Sequence, residues 1–169
     1  MKTIIATVFS FILSISYSQF SNDDLDKMII SKNKKSYNKI NFDSLSNATI
    51  LLINKYRLEN NLNSLEIDTS LNNYSKNWGK HLCENNQLVH SETEKLNIVS
   101  ENIYGLFTFG FFICDVGYFK SQPKIVFDSW RTSIGHNKNM LNDKAKKIGL
   151  YIYTEYEDKY KMRVVMVMK

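Results

Sequence analysis

The chain has 169 residues, 43% of them hydrophobic, and 22 Lys and Arg against 17 Asp and Glu give a formal charge of +5. That length suits one domain that buries well over half of its unfolded surface, so no dense disulfide scaffold is needed. The basic excess is modest and spread out; the lysine-rich stretches at 31–39 and 144–147 read as solvated faces, and nucleic-acid binding is not expected.

In chain order, Lys2 precedes an apolar run over 4–15, and Ser16 and Ser18 place small residues at −3 and −1 of a cut after residue 18. This order predicts a cleaved signal peptide over 1–18. The run is shorter than the roughly 20 residues a spanning helix needs, and no second such run follows. The mature chain, with formal charge +4 once Lys2 is removed, is expected outside the cytoplasm, secreted or periplasmic, as a soluble monomer. Cys83 and Cys114 are the only cysteines, and an oxidising compartment lets them close a disulfide or remain two buried thiols.

Residues 19–42 are polar, with too few apolar positions for a long buried face, and read as an extension; the folded domain is expected over 43–169. Leu45, Ala48, Leu52 and Tyr56 recur at helical spacing, and Asn60-Asn61 can end that helix. Asp68 can cap a second helix striped by Leu71, Tyr74, Trp78 and Leu82 that runs out at Asn85-Asn86. A short strand is expected over 97–104, then the aromatic segment 106–119. Pro123 suits the first turn of a third helix with Val126, Phe127 and Trp130 inside, and Gly135 its end. β-Rich runs at 148–153 and 161–168, across a turn near Glu157-Asp158, predict an antiparallel hairpin. Helices flanking a small antiparallel sheet make an α+β layered domain.

Several segments occur in a telling order: Ile53-Asn54-Lys55-Tyr56-Arg57 with Leu62-Asn63-Ser64-Leu65, Trp78-Gly79-Lys80-His81-Leu82, Leu88-Val89-His90-Ser91 and Ser100-Glu101-Asn102-Ile103. Trp130 to Leu141, reading WRTSIGHNKNML, and Lys147-Ile148-Gly149-Leu150 complete the set. With these motifs the chain resembles the CAP family of cysteine-rich secretory proteins, antigens and pathogenesis-related proteins, in its short bacterial form. The resemblance implies an α-β-α sandwich with a cleft in which two histidines and two acidic residues face one another. It carries that role to His90, Glu101 and His136. The second carboxylate does not carry over, because Trp130-Arg131-Thr132-Ser133 holds none before Gly135, and Ser133 or a water is expected in its place. Ser100 stands where glycine is usual, and Ile134 where bacterial members often have proline.

Two imidazoles and a carboxylate are a ligand set for zinc or another divalent ion with a position left open. Without a metal, Glu101 can serve as base and a histidine as acid, or Glu101 can simply cap a neighbouring loop. His81, one turn from Trp78, reads as a packed or surface histidine, and Trp78 and Trp130 as core. Phe107, Phe109, Phe111, Phe112, Tyr118 and Phe119 either cover the sheet or form an apolar patch. Two functions remain open: a secreted module binding a lipid, peptide or glycan, and a metal-assisted hydrolase of cell-wall or protein substrates. The missing carboxylate favours binding.

Overall fold

The computed structural model describes residues 37–92, 97–107, 116–156 and 160–169, with Lys27, Ser31, Lys34 and Lys35. The expected signal peptide, Cys114, most of the aromatic segment and the turn at Glu157-Asp158 lie outside the described residues. Helix α1 (Phe42–Glu59) starts where Asn41 accepts a hydrogen bond from Ser44 N. It ends before Asn61, whose φ of 60° relieves the last turn. After the two-residue strand β1 (Glu66–Ile67), helix α2 (Thr69–Glu84) is capped by Asp68, which accepts from Leu71 N, and is ended by Asn86 at φ 54°. Strand β2 (Ser100–Phe107), helices α3 (Val116–Thr132) and α4 (Ile134–Met140), and strands β3 (Lys147–Tyr156) and β4 (Tyr160–Met168) follow.

Two expectations change here. Pro123 lies inside α3, not in its first turn, because the helix begins at Val116. Side chains of Ser121 and Gln122 both donate to the carbonyl of Tyr118, in the turn that proline interrupts. Gly135 lies within α4, since α3 has already ended at Thr132.

The sheet runs β1-β3-β4-β2 and is antiparallel except where β1 pairs in parallel with the start of β3. Alternation along β4 splits the core. Met162, Val164, Met166 and Met168 join Ile50, Ile53, Phe119, Val126 and Trp130 on the α1 and α3 face, while Val165 and Val167 meet Leu71 and Leu82 of α2 on the other. The result is a three-layer α-β-α sandwich. Tyr118 and Phe119 of the aromatic segment pack on the first of these clusters, as do Tyr37, Ile40 and Phe42 beside them.

Both sheet edges are closed by side chains. On β3, beyond the short β1, Leu150 N donates to Asn72 Oδ1 at 2.9 Å, Ile152 N donates to Ser46 Oγ at 2.9 Å, and Tyr37 Oη donates to the Thr154 carbonyl at 3.1 Å. On β2, Asn139 and Trp130 donate to the carbonyls of Glu101 and Ile103 at 2.9 and 3.4 Å. Open edges invite strand addition, and these polar caps prevent it. Gly79 and Gly149 let α2 lie close to the sheet: a Cβ on Gly149 would stand 2.1 Å from the Leu71 carbonyl carbon.

Candidate functional site

The site forms where the loop after α2 returns to β2. That loop is fixed from two sides, since Arg163 Nε donates to the Gln87 carbonyl at 2.8 Å and Trp78 Nε1 to the Val89 carbonyl at 3.3 Å. His90 and Ser91 follow. His90 Nδ1 lies 2.5 Å from Glu101 Oε2, while Ser91 N donates to the same oxygen at 3.1 Å and Ser91 Oγ to Oε1 at 2.5 Å. Glu101 therefore caps the loop, one of the roles the sequence offers it, and orients the imidazole at once. Its side chain is only 3% exposed against 63% for His90, so the carboxylate lies at the base and the imidazole faces outward.

From α4, Asn139 Nδ2 donates to the Glu101 carbonyl and to Asn102 Oδ1, both at 2.9 Å, and Asn102 Nδ2 donates to the His136 carbonyl at 3.0 Å. These bonds bring His136 to the β2 edge, with its half-buried ring 6.4 Å from that of Trp130. Burial, and then the charge of His90, hold the His136 imidazole below its ordinary pKa. The two histidines thus lie within electrostatic reach of each other. Ser133 is the N-cap residue of α4, although its side chain makes no capping bond.

Walls from His90, Ser91, Val99, Ser100, Glu101 and Asn139 enclose an open cleft of about 250 Å³; His136 and Ser133, expected in the same cleft, are not among its walls, and α4 contributes Asn139 instead. Exposed Leu88, Val89 and Val99 lie along or beside the chain segments that form it. Among the described residues, no group of three or more His, Cys, Asp or Glu side chains is placed to hold a metal ion. Ser100, the departure from glycine, accepts from Asn142 Nδ2 at 2.9 Å. His81 is exposed and stacks on Trp78 at 4.7 Å. Cys83 is a buried free thiol among the described residues, pushed up to about 11 chiefly by burial.

Sequence reasoning passed over Asn102, Asn139 and Arg57. Asn139 was within reach, since three residues after His136 it shares that residue's helix face. The fully buried Arg57 donates to the carbonyls of Asn63 at 3.0 Å, Met140 at 2.8 Å, Asn142 at 2.9 Å and Ala145 at 3.5 Å. It thereby holds the end of α4 against α1. Burial lowers its pKa, partly offset by Asp143, but a guanidinium stays charged.

An α-β-α sandwich whose edge strand carries a carboxylate that orients a loop histidine, with a second histidine on the helix beside it, fits a CAP-type domain. Residues 50–169 match the family model described as CAP, cysteine-rich secretory protein family, and the chain belongs to that family. Its fold is similar to an outer surface protein of Borrelia burgdorferi, with 21% identity and a TM-score of 0.58 over 77% of this chain and 96% of that one. Similarity also extends to an SCP-domain extracellular protein of Bacillus anthracis, 18% identical over 75% of this chain and 41% of that one at a TM-score of 0.49. A cysteine-rich secretory protein of Staphylococcus aureus is 17% identical over 78% and 40%, also at 0.49. No curated protein matches the chain significantly. Among the described residues no helix is long and apolar enough to cross a membrane.

Proposed function

We propose that this chain is an extracellular CAP-domain binding protein whose His90–Glu101 cleft holds a polar group of a lipid, peptide or glycan. One observation carries the reading: the Glu101 carboxylate is already engaged by His90 Nδ1, Ser91 N and Ser91 Oγ. A base that must take a substrate proton needs a free lone pair within reach. Here the carboxylate is spent on orientation, and what faces outward is the imidazole. The N-terminal charge, apolar run and small residues support export, as does the likeness to an outer surface protein.

His90, Glu101 and His136 do not form a three-ligand group among the described residues, so a divalent ion such as zinc would be held weakly, by imidazole without the carboxylate. With Nδ1 on the carboxylate, Nε2 of His90 is the nitrogen left to ligate, and the lowered pKa of His136 keeps that imidazole neutral with its lone pair available. Such an ion would supply a Lewis-acid contact for an anionic or carbonyl oxygen of the ligand.

Calorimetric titration with zinc tests this reading. His90→Ala and His136→Ala should each weaken binding, and Glu101→Gln should weaken it by roughly 10- to 100-fold as a supporting residue. Affinity should fall at acid pH, as imidazole takes up a proton and loses its lone pair. Equal zinc affinity in the wild type and either histidine variant removes that residue from the ligand set. Chelator-sensitive cleavage of a peptide or cell-wall substrate, lost in His90→Ala, would make the protein a hydrolase instead.

A further inference from the structure

A second cleft opens on the far side of the sheet from Glu101, between α1 and the start of α2 above the edge of β3, with a volume of about 260 Å³. Two features restrict what it can accept. The main chain at its floor is already satisfied, because Leu150 N donates to Asn72 and Ile152 N to Ser46, so a peptide cannot add there as a strand. The charged groups are also spoken for. Asp43 and Lys76, of opposite charge, both act electrostatically on the Tyr151 hydroxyl, and Lys76 Nζ lies 4.9 Å from the centre of that ring. A carboxylate and an ammonium gathered on one phenol cancel, leaving little field for an ionic ligand.

What the cleft still offers is uncharged. Asn47, Asn73 and Thr69 line it, are exposed, and make no side-chain hydrogen bond among the described residues. Each amide both donates and accepts, and so does the threonine hydroxyl. Closely spaced groups of this kind complement neighbouring hydroxyls on a ring, which also donate and accept without charge. We propose that the α1–α2 cleft binds a neutral saccharide through Asn47, Asn73 and Thr69, at a site separate from the His90–Glu101 cleft.

Titration of the ¹⁵N-labelled protein with triacetylchitotriose and with maltotriose tests this by NMR, with glucose 6-phosphate as the charged comparison. At least one neutral trisaccharide should give saturable shifts of the Asn47 and Asn73 side-chain amides in the millimolar range. Asn47→Ala with Asn73→Ala should weaken that binding by about tenfold or more, the loss expected when hydrogen bonds are removed. Thr69→Val gives an independent second loss, and unchanged thermal midpoints show that the variants are folded. No saturable shift with either trisaccharide, or affinity unchanged in the double variant, overturns the proposal. Tighter binding of the phosphate ester at the same residues also overturns it, because recognition would then be ionic. Retained zinc binding in the double variant keeps this result distinct from that of the His90 cleft.

Discussion

Replacing Gly149 with alanine tests whether the approach of α2 to the sheet is fixed by backbone contact. The added Cβ would lie 2.1 Å from the Leu71 carbonyl carbon, 2.4 Å from Leu71 Cβ and 2.5 Å from Asn72 N. Carbon atoms rest at about 3.5–4.0 Å, so α2 must retreat by roughly 1.5 Å. Overpacking of this kind costs about 1–3 kcal/mol, and the upper end applies because the obstacle is helix backbone. The retreat also pulls Asn72 from its 2.9 Å bond to Leu150 N, a further loss of about 1 kcal/mol. Gly149→Ala should therefore destabilise by about 3–4 kcal/mol, a large share of the usual 5–15 kcal/mol. Gly79 is the internal control. Its Cβ would meet only Tyr153 Cβ, at 2.9 Å, within 3 Å, and the overlap is offset by the gain of about 1 kcal/mol for alanine in a helix. Urea unfolding followed by tryptophan fluorescence should separate the two variants by about 2 kcal/mol or more. A Gly149→Ala loss below about 1 kcal/mol would refute the reasoning, since the helix would then yield without strain.

Two further outcomes are expected. Ile134→Pro should raise stability by about 0.5–1 kcal/mol, read as a higher thermal midpoint. Ile134 is the first residue of α4 and 91% exposed, and Ser133 at φ −89°, ψ 121° already has the backbone that a residue before proline adopts. A lower midpoint would show that the Ile134 N–H is needed. For pH, the lowered His136 pKa means that the unfolded chain binds more protons below about 6.5 than the native one does. This contribution is complete above about pH 6.5 and is lost as pH falls through the lowered value, so His136→Asn should flatten the stability profile there. An unchanged slope would remove His136 as its source.

Much of the fold was legible in residue spacing. The α1 helix, the α2 stripe, the Asp68 cap, the asparagine stops and the β3–β4 hairpin all follow from local chemistry, which needs only a few neighbouring residues, although α1 buries Ser46, Thr49, Ile50, Ile53 and Arg57 more deeply than the expected Leu45, Ala48, Leu52 and Tyr56. The family motifs likewise pointed to His90 and Glu101 as partners. Other features depended on long-range contact. A proline reads as a helix start until the residues before it pack, and Tyr118 and Phe119 bury enough surface to extend α3 back to Val116. The parallel pairing of β1 rests on two residues whose only reason to be extended is the neighbouring start of β3.

The same division applies to the site. In the sequence, the family motifs singled out His90, Glu101 and His136 among 3 histidines and 17 acidic residues. Only the tertiary structure determined that Glu101 spends its oxygens on His90 and Ser91, that Asn139 and Asn102 bring α4 to the β2 edge, and that a buried arginine holds α4 in place. Asparagine and arginine acquire these roles from backbone carbonyls distant in sequence, and a carbonyl carries no mark in the sequence of which side chain will reach it.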